Sequence, residues 1–194
     1  MRTQGGARAI WLWQIEMSLL SKVVLRLALV LILAAAVLFI PAGSWRFWQG
    51  WAFLSVTFIP SIVAYLYFYK NDPQLLERRL QSTEKVSEQK FLVRVMRPLF
   101  FVAFLIPGLD YRWGWSRTFF GGVPLWLTLL CQVLVLAGFL FVFWVMKVNS
   151  FASRTIQVEA GQKVISTGPY AMVRHPMYSG SLMMWLSTPL ALGS

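Results

Sequence analysis

The feature that most constrains this chain is a series of long runs almost free of charge. The run from Leu19 to Ile40 carries only Lys22 and Arg26, one turn apart at its start. At 1.5 Å per residue it is about 33 Å long, and about 20 apolar residues cross the hydrocarbon core of a bilayer. A second unbroken run fills 123–147. A chain built this way must satisfy its backbone bonds internally, which selects helices packed side by side. The composition agrees: 58% of residues are hydrophobic and 13% charged, against about 45–50% and about 25% in soluble domains. The fold class expected is an all-α integral membrane protein forming a single transmembrane domain over 1–194.

Taken in order, the residues predict about five transmembrane helices, near 19–40, 48–69, 91–109, 123–147 and 176–193. Residues 1–18 form a basic lead with Trp11 and Trp13 as interface anchors. Arginines ahead of the first run, and Ala34-Ala35-Ala36 within it, mimic a secretion signal. The run exceeds the 7–15 residues of such a segment, however, so a retained helix is expected. Pro41-Ala42-Gly43 reads as its stop. Tryptophans 45, 48 and 51 and tyrosines 65, 67 and 69 bracket the second span as an aromatic belt. Pro60 should kink its middle. Asp72 and Pro73 begin a short surface helix, with Asp72 as N-cap and Leu75, Leu76 and Leu80 as its apolar stripe. Arg94 and Arg97 lie in the first turns of the third span. Asp110-Tyr111-Arg112-Trp113-Gly114-Trp115 reads as an aromatic loop, either anchoring the interface or forming a substrate lip. Between the fourth and fifth spans, the alternation Thr155-Ile156-Gln157-Val158 and the turn Ala160-Gly161 predict a small hairpin.

Basic residues orient the bundle. All but Arg46, Arg112 and Arg117 of the 18 lysines and arginines fall on one side of the predicted topology. The positive-inside rule makes that side, with the N-terminus, cytoplasmic. The net charge of +11 is thus spread between spans, not gathered on one face, and does not indicate nucleic acid. The lone cysteine, Cys131, excludes an internal disulfide and reads as a small hydrophobe.

Chemistry concentrates in 162–178, on the same basic side. This segment holds the only histidine, His175, with Gly168-Pro169, Tyr170, Arg174 and Tyr178 around it. Pro169 pushes Gly168 towards extended geometry and starts a break. Pro176 suits the first turn of a helix, which leaves His175 as its cap. Arg174 and His175 then stand at a membrane–water boundary beside helix-terminal N–H groups, a natural anion site. The plainer alternative is an arginine snorkelling to headgroups and tyrosines of an interface belt. One histidine and one distant cysteine cannot hold a metal, so no metal site is expected.

The pattern Gly168-x-Tyr170-x-x-x-Arg174-His175-Pro176-x-Tyr178, preceded by Val164-Ile165, resembles the isoprenylcysteine carboxyl methyltransferase family. It is shared more loosely with membrane phospholipid methyltransferases. Asn149-Ser150-Phe151, Asp110-Tyr111-Arg112 and Asp72-Pro73-Gln74-Leu75-Leu76 extend the resemblance over most of the chain from about residue 45. It implies a membrane enzyme that uses S-adenosylmethionine to methylate a lipophilic or prenylated acceptor held at the bilayer. Within a cofactor segment of 149–178, it implies that Gln162, Lys163, Val164, Ile165, Tyr170, His175, Pro176, Met177 and Tyr178 line the cofactor pocket. No catalytic residue is assigned by it; Arg174 and His175 are the candidates.

Two alternatives stand beside that reading. Arg-His-Pro-x-Tyr also recurs in NADPH-dependent membrane sterol-type reductases. Family members also continue past this point with a further helix, a glutamate pair and a basic tail. The last acidic residue here is Glu159, so a truncated or non-catalytic membrane protein, or one completed by a neighbouring subunit, is the other expectation. The acceptor stays open too. A carboxylate is already ionised at neutral pH, whereas an amine would need a base, and His175 is the one available. A Gly-rich loop after a strand is missing, which excludes a soluble dinucleotide-type methyltransferase.

Overall fold

The computed structural model describes residues 19–80, 87–149 and 165–194. Among them every regular element is a helix: α1 Leu19–Ala42, α2 Trp48–Asn71, α3 Pro73–Leu80, α4 Ser87–Trp113, α5 Trp115–Phe120, α6 Leu125–Val148, α7 Pro169–Met172 and α8 Pro176–Ala191. Helices α1, α2 and α6, of 24 residues each, are long and apolar enough to cross a membrane. The other two expected spans are helical as well. The 27-residue α4 covers the expected third span. The 16-residue α8 is apolar but reaches only about 24 Å, short of a core of about 30 Å. The basic lead, residues 81–86 and most of the expected hairpin, together with Gln162, Lys163 and Val164, lie outside the described residues.

The most extensive packing is between α6 and α8, followed by α1 with α4 and α2 with α6. Helices α6 and α8 are antiparallel and meet through glycine. A Cβ on Gly138 would lie 2.8 Å from the Gly180 carbonyl oxygen and 2.6 Å from Met184 Cγ. One on Gly180 would lie 2.7 Å from Val142 Cγ2 and 3.1 Å from the Gly138 carbonyl. Lipid tails are as apolar as leucine, so helices in a bilayer gain from this close approach rather than from hydrophobic burial. Gly108 does the same between α4 and α1, where a Cβ would lie 2.6 Å from the Leu38 carbonyl oxygen.

The larger core joins Leu38, Phe39, Phe47, Leu54, Val135 and Leu192 near one end of the bundle. Beside it, buried Gln132 of α6 donates through Nε2 to the carbonyls of Ala191 (2.9 Å) and Gln49 (3.2 Å), tying α6 to the end of α8 and the start of α2. The smaller core joins Val23, Phe68, Leu75 and Leu76 at the opposite end. Here the expected surface helix forms as α3. Asp72 Oδ1 accepts the Leu75 N–H at 3.0 Å, the N-cap expected of that residue. Arg26 Nη1 donates to the Leu80 carbonyl at 2.9 Å and closes the other end.

Two local readings are made more specific and one is corrected. Helix α1 runs through Pro41 to Ala42 and stops only at Gly43, whose φ of 62° suits glycine. Around Pro60, α2 stays one helix; the Thr57 and Ser61 hydroxyls donate back to the Phe53 and Thr57 carbonyls at 2.7 and 2.6 Å, the i−4 bonds that such hydroxyls make within a helix. Asp110–Trp113 is the last turn of α4, not a loop. Buried Asp110 accepts the Ser116 N–H through Oδ1 at 2.8 Å and so starts α5. This corner adjoins Gly43, where Arg112 lies near, at the end of the bundle away from α3 and from residues 165–178. It is therefore no lip for that segment.

Candidate functional site

The site begins where α6 ends. Asn149 has left helical geometry, with φ −124° and ψ 92°, and its N–H still bonds the Val145 carbonyl. Its side-chain Nδ2 donates to the Tyr170 hydroxyl oxygen at 2.7 Å. That bond ties the end of α6 to a segment 21 residues further on. The phenol of Tyr170 is thereby fixed by one amide, with its ring half-buried.

Tyr170 closes a tight turn, its N–H meeting the Thr167 carbonyl at 3.3 Å. Gly168 holds φ 60° and ψ −130°, the first central position of a type II′ turn, where φ is positive. The expected break before Tyr170 is present, but proline has not drawn Gly168 to an ordinary extended φ. The turn demands the positive φ that glycine permits. A Cβ at Gly168 would also lie 3.3 Å from Val148 Cγ2, so the turn rests on the last residues of α6. Pro169, fully buried, opens the single turn α7.

Val173 then extends the chain and His175 takes the N-cap position of α8, with φ −128° and ψ 68°. Extended geometry is what a following proline imposes, and Pro176 is buried at the first helical position. The histidine caps by position only, as its side chain makes no cap bond. Its carbonyl accepts the N–H groups of Tyr178 (3.0 Å) and Ser179 (3.2 Å). The expected anion site is narrower than the sequence implied. Pro176 has no N–H, and those two N–H groups turn inward, so Met177 carries the remaining first-turn donor.

Arg174 and His175 are both exposed. The imidazole lies 5.7 Å from the Tyr178 ring, tilted by 39°; Tyr178 is 65% exposed. Met177 and Ile165 are half-buried. The structure thus gathers Tyr170, Arg174, His175, Met177 and Tyr178 around one chain reversal at the joint of α6, α7 and α8. It offers an exposed guanidinium, an imidazole and two ring faces. This donor set fits a ligand that combines a carboxylate, a cationic centre and a flat ring. Among the described residues no group of three or more metal-binding side chains occurs, in line with one histidine and one buried cysteine.

Asn149 is the residue of this corner whose contact pattern reading passed over. It stood in the matched string Asn149-Ser150-Phe151 without a role, and its signal was there: an amide just past a long apolar helix. The Gly138–Gly180 contact was equally visible as two glycines inside apolar runs, yet their pairing was not.

Residues 126–194 match the model of the phospholipid methyltransferase family. The match begins at the start of α6 and takes in α7, α8 and the turn between them. No curated protein and no solved structure matches the chain. The family likeness, with three apolar membrane-length helices, supports a membrane methyltransferase.

Proposed function

We propose that this chain is an integral membrane methyltransferase that transfers a methyl group from S-adenosylmethionine to a membrane-associated acceptor. The acceptor class is a carboxylate of the isoprenylcysteine kind or a lipid. The observation that carries this reading is the Asn149–Tyr170 hydrogen bond of 2.7 Å. It lies within the matched region and fixes the Tyr170 phenol to the end of α6, in the segment that also bears Arg174, His175 and Tyr178. When bound, S-adenosylmethionine supplies an electrophilic methyl carbon on a sulfonium.

Each residue has a part to play. Tyr170 and Tyr178 offer ring faces to a sulfonium or an adenine. Arg174 and the Met177 N–H hold a carboxylate. His175 takes a proton from an amine acceptor and is not needed as a base for a carboxylate. Ile165 and Met177 close the apolar side; Gln162, Lys163 and Val164 complete the pocket by resemblance. Methyl transfer is an in-line displacement, so fixing donor and acceptor supplies much of the rate. With the basic ends of the helices in the cytoplasm, the methyl donor arrives from water and the acceptor from the bilayer.

Calorimetry with S-adenosylhomocysteine on the folded, detergent-solubilised chain tests the proposal. Saturable binding that NADPH does not displace is expected. Displacement by NADPH would favour a reductase, and no binding of either ligand would overturn the assignment.

A further inference from the structure

A second feature lies at the same end of the bundle, on the flank of α6 that meets α2 and α3. Between α2, α3 and α6 is a partly open slot of about 150 Å³, walled by Ala64, Tyr65, Phe139, Val142 and Met146, with Arg79 of α3 on its lining. One water takes about 30 Å³ of liquid, and apolar cavities of this size stay dry and take hydrocarbon instead. The slot descends from Phe68 to Ser61 along α2, about 10 Å at 1.5 Å per residue. The Ser61 hydroxyl is spent on the Thr57 carbonyl at 2.6 Å, so the deep end offers hydrocarbon no competing polar group from that residue.

The one charged side chain on the lining comes from the surface helix. Arg79 lines the slot itself. Arg26 is bonded to the end of α3, and Lys147 stands 5.6 Å above the Tyr67 ring. One cation, Arg79, therefore lines an apolar slot at the level where the membrane helices meet the surface helix, with Arg26 and Lys147 on neighbouring elements. Basic pockets between membrane helices at this level bind acidic lipid headgroups. The geometry points to a binding site for an anionic phospholipid, its phosphate on Arg79 and part of one acyl chain between α2 and α6. Among the three cations, Arg79 sets headgroup preference because it alone lines the slot. The site is separate from the proposed methyl-donor pocket, and its occupancy does not depend on methyl transfer.

The test is native mass spectrometry of the full chain, released from detergent with equimolar dioleoyl phosphatidylglycerol and dioleoyl phosphatidylcholine. Wild type should retain the anionic lipid over the zwitterionic one by about five-fold, the weight of one basic residue at the surface. Arg79→Gln should bring the ratio to parity, Arg79→Lys should keep most of it, and Lys70→Gln, altering an exposed residue outside the slot, should leave it unchanged. Ala64→Leu should fill the slot and reduce retention of both lipids. Should that variant misfold, displacement by glycerophosphate serves instead: a headgroup without chains should fail to displace the retained lipid. Equal retention of the two lipids by wild type would overturn the proposal. So would equal losses from Arg79→Gln and Lys70→Gln, which indicate diffuse surface charge, or displacement by glycerophosphate, which indicates a free-anion site.

Discussion

Alanine at Gly138 should destabilise the protein, although alanine is the better helix former. The two effects oppose one another and can be weighed. Replacing glycine inside a helix gains about 1 kcal/mol of propensity. Against it, the new methyl would stand 2.8 Å from the Gly180 carbonyl oxygen and 2.6 Å from Met184 Cγ. Overpacking of a well-packed contact costs about 1–3 kcal/mol. Met184 can swing aside, but the backbone oxygen cannot move without α8, so the upper part of that range applies. The net is a loss of about 1–2 kcal/mol. In a thermal unfolding scan at fixed rate that is a fall of a few degrees, by the scaling of about 2–4 °C per kcal/mol for domains of this size. Met184→Ala in the same chain should not rescue it, because the backbone clash remains. Helix α8 begins at Pro176, so its displacement should also weaken S-adenosylhomocysteine binding. An unchanged or raised melting temperature for Gly138→Ala would refute the close-contact argument, and rescue by Met184→Ala would refute the backbone's part in it.

Gly168→Ala should cost about 1–3 kcal/mol, the strain of a side chain at φ 60° and ψ −130°, read as lost melting temperature and lost ligand binding together. Asn149→Ala and Tyr170→Phe should each weaken S-adenosylhomocysteine binding by about two- to ten-fold, the weight of one hydrogen bond; the double variant should be no worse than the more severe single one, as calorimetry would show. Gln132→Leu removes two donated bonds but also a buried side-chain oxygen without a partner. Its loss should stay below about 1.7 kcal/mol by denaturant unfolding in detergent, the upper value for membrane hydrogen bonds. Arg174→Ala should weaken S-adenosylhomocysteine binding more than His175→Ala, since an exposed imidazole leaves no buried partner stranded; equal affinity in both would mean that these side chains serve only the interface.

The period and length of the apolar runs alone determine that α1, α2 and α6 are membrane-length helices, because a bilayer penalises every backbone group left unbonded. Local capping chemistry is equally legible. Asp72 before Pro73 announces α3, and His175-Pro176 announces the start of α8, since proline constrains its own φ and its predecessor's without help from distant residues. The polar and aromatic types of the candidate site in 165–178 are likewise readable as types. Tertiary structure decided where they meet. Asn149 reaches Tyr170 only because α6 ends beside the turn that Gly168 makes, and no spacing rule links positions 21 apart. The Asp110 segment read as a loop because its aromatics resemble an interface, while a buried carboxylate binding the Ser116 N–H made it a helix end. The pairing of Gly138 with Gly180 is the plainest case. Each glycine alone only weakens a helix, and the contact exists because two antiparallel helices, with no water to expel, come together where neither has a side chain to hold them apart.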